Sequence, residues 1–299
     1  MTSSGYDTGQ QLWQALGDSA KGLRARTGKD PTLAIHEFVM SRFLARVFND
    51  PASPWVLKGG TATLMRVHDA RATKDLDLLA RLDNLEVAVA ALTRSASLDL
   101  ADHFRFQLRS RAAVAGQADT EGVTLTFDVY VGAVRKAPLK VDLVTGSIMT
   151  TEPDLLTVKA IRVGNFDNPI VRVYPLVDHI ADKLCATQAR YGEYSSSRVK
   201  DLVDLVVFAR TSSLDGTDLM RAVNSEWAHR CLPGAPFFAP PPEWATRYPP
   251  QARKTPACGH VTQYPAAVAL IETLLSPVFD GTAGGQQWHP QAGSWLPRD

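Results

Sequence analysis

The sequence predicts an α/β fold of the α+β type, in which a mixed sheet with flanking helices precedes a mainly helical C-terminal lobe. Apolar residues recur at helical spacing near the N-terminus, alternate with polar residues through the middle of the chain, and return to helical spacing beyond residue 175. Strands that follow a helix and continue as a meander favour a mixed sheet over a regular βαβ repeat. We therefore expect a sheet domain at residues 1–165 and a helical domain at residues 166–299.

Local patterns predict the elements of the first domain. Pro31 suits the start of a helix that reaches about residue 47, and Gly59 and Gly60 end the short apolar strand "PWVLKGG". Residues 10–27, "TATLMRVH" and "NLEVAVAALTRSA" read as helical. Alternation predicts further strands. These strands are "TKDLDLLA", "DHFRFQLRS", "GVTLTFDVYVG" and "APLKVDLVTG".

Helical spacing dominates the second domain. The predicted helices are "PLVDHIADKLCATQARYG", "SSSRVKDLVDLVVFARTSS", "TDLMRAVNSEWAHRC" and "VTQYPAAVALIETLLSPVF". The proline-dense segment 233–256 is expected to cross the surface in extended form. The final "GTAGGQQWHPQAGSWLPRD" is expected to be loosely ordered.

Composition limits the class of protein. A hydrophobic content of 45% and a charged content of 21% are typical of a soluble globular protein. No apolar run is long enough to span a membrane, and the N-terminus lacks the pattern of a secretory signal. We therefore expect a cytoplasmic protein with no membrane partner.

The net charge of +1 implies no global positive field for nucleic acid. A local basic groove remains open, and a solvated face is the alternative for the same side chains. The residues concerned are Arg105, Arg109, Arg111, Arg135, Lys136 and Lys140.

The three cysteines form no Cys-x-x-Cys pair, which suits a reducing compartment. The pairs "HRC" and "CGH" could supply zinc ligands, although their spacing is tighter than usual. Buried thiols and surface histidines are the alternative. The residues are His229, Cys231, Cys258 and His260, with Cys185 as the third cysteine.

Asp75 and Asp77 are the first candidate site residues. On a strand, residues two apart project from the same face, so both carboxylates would point one way. Neighbouring carboxylates repel unless a cation lies between them, and hard oxygen ligands suit Mg²⁺, with Mn²⁺ as a substitute. A solvated strand edge is the ordinary alternative.

The turn before this strand suggests a phosphate site. Gly59 and Gly60 let backbone amides converge at a helix start, and Thr61 could add donors. Lys58 precedes the glycines, so the order required for a P-loop is absent. A sharp strand-to-helix turn is the alternative interpretation.

A third carboxylate would complete a two-metal site. Asp142 in "LKVDLVTG" lies between apolar neighbours on a strand and is the first choice. Asp128 in "LTFDVYVG" is the second, because its hairpin looks less buried. The third acid can also help to take the proton of an attacking hydroxyl.

The run "RFLARVFNDPASPWVLKGGTATLMRVHDARATKDLDLL" resembles the AbiEii/AbiGii-type (MenT-like) nucleotidyltransferase toxin family of the DNA polymerase β-like superfamily. The narrower family mark is Lys-Gly-Gly-Thr followed by a block that is present as Arg71, Thr73, Asp75 and Asp77. The resemblance extends in separate blocks over residues 35–210 and implies a polymerase β-like mixed sheet.

Two later helices also resemble the family. "YPLVDHIADKLCATQAR" places Lys183 at the functional lysine, and "RVKDLVDLVVFAR" places Asp204 at the favoured acid. Lys183 could reach nucleotide phosphates as a mobile ammonium. For Asp204, an ion pair with Lys200 within the helix is the alternative.

The resemblance implies a toxin of a toxin–antitoxin system. Its reaction would add nucleotides from an NTP to the 3′ end of tRNA with release of pyrophosphate, which would block aminoacylation and translation. The implied partners are tRNA, NTP and a cognate antitoxin. The alternatives are a nucleotidyltransferase of the antibiotic-modifying type, which acts on a small molecule, and a catalytically inactive relative that binds a partner.

Thr73 lies two residues before Asp75, so on a strand its hydroxyl would face the same site and could contact the nucleotide. A phosphate on Thr73 would add negative charge beside the metal acids and impair NTP binding. In some relatives the equivalent hydroxyl is modified by the antitoxin. A threonine that only donates one hydrogen bond is the alternative.

Overall fold

The computed structural model describes residues 5–113, 122–188 and 196–298, and the chain divides into two compact units. The first unit comprises Met1–Thr61, Thr73–Ser147 and Leu155–Val173, and the second comprises Ala62–Ala72, Ile148–Asp154 and Tyr174–Asp299. Both units are thus assembled from separated stretches of chain. The domain boundary between residues 165 and 166 stays a prediction.

The predicted mixed α/β class is confirmed, and the first unit contains the large sheet. Its elements are α1 (Gly9–Thr27), α2 (Pro31–Val47), β1 (Trp55–Lys58), α3 (Gly59–Arg66), β2 (Leu76–Ala80), α4 (Leu85–Ala96), β3 (Phe104–Ala113), β4 (Gly122–Val131), β5 (Val134–Arg135), β6 (Leu139–Val144), β7 (Asp154–Thr157) and β8 (Ile170–Val173). Of these, α3 and β7 have residues in both units.

The strands run in the order β3-β4-β6-β2-β1-β8-β7, and β5 pairs with β4. The pairs β2–β6 and β1–β8 are parallel, whereas β1–β2, β4–β6 and β3–β4 are antiparallel. This is the mixed sheet that the sequence predicts. Sequence alternation missed β5, β7 and β8, because each is only two to four residues long.

One face of the sheet is apolar and is covered by helices. Phe43 of α2 packs edge-on against Phe106 of β3 and Phe127 of β4, with ring centroids 5.2 and 5.1 Å apart. Residues of β4 that alternate with Phe127 project to the opposite face. Polar side chains on β2, β4 and β6 are therefore directed away from this helix layer.

The second unit is mainly helical. Its elements are α5 (Leu176–Gln188), α6 (Val199–Thr211), β9 (Leu214–Asp215), α7 (Gly216–His229), α8 (Trp244–Ala252), a 3₁₀ turn (Pro256–Cys258), α9 (Tyr264–Phe279), β10 (Gln286–His289) and β11 (Ser294–Pro297). The four predicted helices correspond to α5, α6, α7 and α9, and residues 189–192 of the first prediction lie outside the described residues. Helix α6 is buried on nearly every side, so it forms the centre of this unit.

Two predictions for the second unit are wrong, the first of them in part. Residues 233–243 of the proline-dense segment form no helix or strand and lie mostly at the surface, but the segment also contains α8, whose Trp244 and Tyr248 are fully buried one turn apart. The tail forms a β-hairpin of β10 and β11, in which buried Trp288 donates its indole N–H to the Ala209 carbonyl at 2.7 Å. In both segments aromatic burial outweighs the local preference of proline and glycine for irregular structure. Within the described residues, no helix is long and apolar enough to span a bilayer.

Candidate active site

A row of polar residues crosses the sheet of the first unit, and we call it the acid row. Its members are Lys58, Asp77, Asp142 and Thr124. Asp77 of β2 is the register partner of Lys58 on β1 and of Asp142 on β6, and Asp142 is in turn the partner of Thr124 on β4. Register partners on paired strands project to the same face, and neighbouring strands lie about 4.8 Å apart. The structure therefore brings together two of the three predicted metal ligands, Asp77 and Asp142, side by side.

Gly59 leaves the space that the Asp77 carboxylate occupies. The Gly59 backbone has φ +61°, which L-residues rarely adopt, and a Cβ at this position would overlap the Asp77 side chain. Gly60 is buried in the first turn of α3, and buried Lys58 donates its amine to the Ser147 hydroxyl at 3.0 Å. The glycine turn and the acid row thus form one compact cluster within the first unit.

Asp75 is placed differently from the prediction. It is exposed and precedes β2, which begins at Leu76, so strand alternation does not fix the direction of its side chain. The buried Thr61 hydroxyl donates to the Asp75 carbonyl at 3.0 Å. Thr61 therefore fixes the backbone that leads into Asp77, because its hydroxyl is engaged on that carbonyl.

Thr73 also lies outside a strand. The segment before β2 has no ladder pairing at this position, and the Thr73 hydroxyl lies 3.4 Å from the Asp75 carbonyl. The expectation that strand alternation directs this hydroxyl to the acids is therefore wrong. Its roles in nucleotide binding and in regulation stay predictions.

The two candidates for the third acid have different surroundings. Asp142 accepts a hydrogen bond of 2.6 Å from the Thr124 hydroxyl and lies beside Asp77. Asp128 forms ion pairs with Arg135 at 2.6 Å and Arg109 at 3.4 Å. The position of Asp142 beside Asp77 supports it as the first choice for the third acid. Asp128 is the weaker candidate, because two guanidinium groups already neutralise it.

Lys183 and Asp204 belong to the second unit and form a buried ion pair. The Lys183 amine lies 2.6 Å from Asp204 and 2.9 Å from Asp201, and Arg71 donates two hydrogen bonds of 2.9 Å to Asp204. Arg198 pairs with Asp201 at 2.6 Å. These five residues form a network of three cations and two carboxylates, and we call it the buried charge network after its centre. Lys183, Asp201 and Asp204 are buried, whereas Arg71 and Arg198 are partly exposed.

The expectation of a mobile Lys183 is wrong, and so is the alternative that Asp204 pairs with Lys200. Lys183 is 4% exposed and held between two carboxylates, so it is not a mobile ammonium. Asp204 pairs with Lys183 and Arg71, whereas Lys200 is exposed in the first turn of α6. Asp204 pairs with Lys183 and Arg71, which are distant in the sequence, because it is fully buried and a buried carboxylate needs close cations.

The ion pairs of the buried charge network determine the protonation states of Lys183 and Asp204. Burial alone would lower the pKa of Lys183, but Asp201 and Asp204 outweigh it, and the pKa lies above its ordinary value. Burial alone would raise the pKa of Asp204, but Lys183 and Arg71 hold it below its ordinary value. Both groups are charged at neutral pH, so Lys183 can provide positive charge but cannot act as a base.

A family model for the nucleotidyl transferase AbiEii toxin of type IV toxin–antitoxin systems matches residues 42–276. The match includes the acid row, the glycine turn and the buried charge network. The chain belongs to the AbiEii nucleotidyltransferase toxin family. No curated protein matches the sequence.

Two solved structures are similar to this chain. MenT4, a nucleotidyltransferase toxin of Mycobacterium tuberculosis, matches with a TM-score of 0.51 and 18% identity over 70% of each chain. JHP933 of Helicobacter pylori matches with a TM-score of 0.43 and 16% identity over 85% of this chain and 97% of its own. The MenT4 likeness supports the mixed α/β fold of this AbiEii family member.

The carboxylates of this AbiEii family member suit a hard cation chemically. Asp77 and Asp142 offer adjacent oxygen donors, which Mg²⁺ prefers. Across the described residues, no group of three or more His, Cys, Asp or Glu side chains is placed to hold a metal ion. This also gives no support to the zinc alternative, and of its cysteines Cys258 is buried and Cys231 is exposed.

The sequence pattern missed several residues that support the site. Thr124 orients Asp142, and Asp201 and Arg198 complete the buried charge network. Thr124 alternates with Leu125, which gives its direction but not its partner. Arg198 and Asp201 are three apart in "RVKD", a spacing that indicates an ion pair on one helix face.

Proposed function

We propose that this AbiEii family toxin transfers nucleotides from an NTP to the 3′ end of tRNA in a metal-dependent reaction. The observation that carries the proposal is the in-register pair Asp77 and Asp142, with the Asp77 carboxylate packed against Gly59. Carboxylates and converging backbone amides are the groups that a triphosphate and its cation require. The modified tRNA would no longer accept an amino acid, and translation would stop.

In this reaction the 3′-hydroxyl of the acceptor attacks the α-phosphate, and the bond to pyrophosphate breaks. Asp75, Asp77 and Asp142 would hold one or two Mg²⁺ ions, which supply positive charge to the reacting phosphate. Asp142 is the acid that takes up the proton of the hydroxyl. The residues that hold the phosphates are Lys58, Gly59, Gly60, Thr61 and Thr73.

Lys183 and Asp204 have an electrostatic role in the proposed reaction. Lys183 is the predicted partner of the nucleotide phosphates, and its positive charge would attract an anionic ligand. Asp201 and Asp204 hold Lys183 in its charged form. The role of this pair is therefore electrostatic.

The proposed setting is the cytoplasm, where tRNA, NTP and a cognate antitoxin are the partners. Phosphorylation of Thr73 by the antitoxin would place a charge of about −1.5 to −2 next to the segment that carries Asp75. This charge would repel the triphosphate. Mass spectrometry of the toxin after co-expression with its antitoxin tests this point.

Incorporation of α-labelled nucleotide into purified tRNA tests the proposed function. Asp77→Asn should abolish incorporation while thermal unfolding stays cooperative, and the control Asp83→Asn, an exposed acid beyond β2, should retain it. Wild-type labelling of aminoglycosides but not tRNA would favour the small-molecule alternative. Failure to label any acceptor with Mg²⁺ or Mn²⁺ would favour the inactive partner-binding alternative.

A further inference from the structure

The sheet face that carries the acid row continues outward across β4. Every second residue from Thr124 to Tyr130 projects to the side of Asp142, because Thr124 and Asp142 are register partners. Six residues at about 3.3 Å each extend this face roughly 20 Å beyond the acid row. An extended chain lying along β4 would therefore reach Asp142 at one end.

The outer part of this face is basic. It carries the exposed cations Arg105, Arg109, Arg135 and Lys140 together with Asp128 and Tyr130, and we call these six residues the basic face. Arg105 and Arg135 are register partners of Tyr130, Lys140 is the partner of Thr126, and Arg109 contacts Asp128. Four cations and one carboxylate give this face a local charge of +3, whereas the whole chain carries +1.

Arg105 and Tyr130 form a stacked platform on the basic face. The guanidinium carbon of Arg105 lies 4.4 Å from the centroid of the Tyr130 ring, and the arginine is exposed. A guanidinium plane held on an aromatic ring can stack on an unpaired base while its N–H groups reach a phosphate. This arrangement distinguishes the basic face from a set of independently solvated cations.

We infer that the basic face binds the single-stranded 3′ end of the acceptor RNA and leads it to Asp77 and Asp142. The positive charge of the basic face complements a phosphate backbone, and the Arg105–Tyr130 platform suits an unpaired base. The face follows β4 and ends next to the acid row. An acidic protein would use the charge but would not need the platform. The inference rests on the proposed function, because it assigns the path of that acceptor strand.

Binding of a fluorescently labelled single-stranded RNA oligonucleotide, measured by anisotropy without NTP, tests the inference. Arg105→Ala and Tyr130→Leu should each weaken binding roughly tenfold, because stacking contributes at this scale. Tyr130→Phe should bind like the wild type, since it keeps the ring. Replacement of Lys140 by Ala should reduce the slope of log affinity against log salt concentration by about 0.7.

Arg111→Ala is the matched control. Arg111 is also an arginine of β3, but its register partner is Leu125 of the apolar face and it pairs with Glu86 of α4 at 2.7 Å. This variant should bind RNA like the wild type. Thermal unfolding of each variant should match the wild type, which shows that the change in binding is not a loss of fold.

Unchanged RNA binding by Arg105→Ala and Tyr130→Leu, or equal weakening by Arg111→Ala, would overturn the inference. Loss of antitoxin binding with unchanged RNA binding would assign the face to a protein partner and would also overturn it. The proposed function fails separately, in the incorporation assay. Asp77→Asn should bind the oligonucleotide like the wild type and yet transfer nothing.

Discussion

Gly59 and Asp77 share one small space, because the Asp77 carboxylate lies where a side chain at position 59 would begin. The glycine therefore has two functions. It adopts a φ of +61° at the start of α3, and it leaves room for the carboxylate beside the backbone amides of that helix start. This explains in physical terms why the glycine turn and the acid strand occur together in the sequence.

Gly59→Ala should abolish nucleotide transfer, because the new Cβ displaces Asp77. Gly28→Ala is the matched control, since Gly28 has φ +75° at the end of α1 but no atom within 4 Å of the added carbon. Both variants should lose about 1–2 kcal/mol of unfolding free energy from the backbone conformation. Label incorporation and urea denaturation measure the two effects, and an active Gly59→Ala enzyme would contradict this account.

Asp142→Asn should reduce transfer by at least a factor of about 100, because it removes an anionic donor next to Asp77. Asp128→Asn should change transfer by less than about tenfold, because Asp128 is neutralised by Arg135 and Arg109. Steady-state incorporation at saturating NTP and Mg²⁺ compares them. The opposite ranking would assign the third acid to Asp128.

Lys183→Met should destabilise the fold by about 3–5 kcal/mol, because it leaves Asp201 and Asp204 with less compensating charge in a buried site. The control Lys200→Met changes an exposed lysine on α6 and should stay within about 0.5 kcal/mol of the wild type. Urea denaturation gives both values. If Lys183→Met were as stable as the wild type, the network would not bear on folding.

The strand positions of Asp77 and Asp142 could be predicted from the sequence, since strand alternation acts over a few residues. Their register could not, because it pairs strands that are far apart in the chain. The partner of Asp204 could not, because Arg71 lies 133 positions away and the i,i+4 rule points to Lys200 instead. Burial of Asp204 decides between them, and a single sequence does not give burial. The direction of the Asp75 side chain could not be predicted either, because β2 begins at Leu76, whereas the alternation implies a strand from Thr73.

The two wrong predictions in the second unit have a shared cause. Proline in 233–256 and glycine in the tail indicate irregular structure locally, yet each segment anchors aromatic residues in the core. Trp244, Tyr248 and Ala252 recur at helical spacing, a signal that the prolines obscured. Composition therefore predicted an extended segment and a loosely ordered tail, whereas long-range packing forms a helix in the first and a hairpin in the second.

Trp288→Ala should cost about 3–5 kcal/mol of unfolding free energy, because the indole is fully buried and donates to the Ala209 carbonyl. Leu296→Ala, on the partner strand β11, is the control, since that side chain is 40% exposed. Its cost should be below about 1 kcal/mol. Chemical denaturation compares the two variants, and equal small effects would mean that the hairpin does not anchor the second unit.

Acid should weaken the fold partly through Asp204. The pKa of Asp204 in the folded protein lies below the ordinary value of 3.8. Its contribution to the free energy of unfolding is therefore present above pH 3.8 and is lost as the pH falls through the folded pKa. Lys183 has a raised pKa, and its contribution to the free energy of unfolding is fully present below its ordinary value of 10.5. It therefore does not change the stability at acidic pH. The stability of the wild type should therefore decline as pH falls below about 4.

Asp204→Asn isolates this effect, because the amide binds no proton in that range. The variant should be about 3–5 kcal/mol less stable than the wild type near neutral pH, and the difference should narrow as pH falls below about 4. Its own stability should still decline, since Asp102, buried against Arg42 and Arg46, also has a lowered pKa. Urea denaturation of both proteins from about pH 6 to about pH 3 measures the difference. A difference that stays constant across this range would show that Asp204 does not change its protonation between the folded and unfolded states.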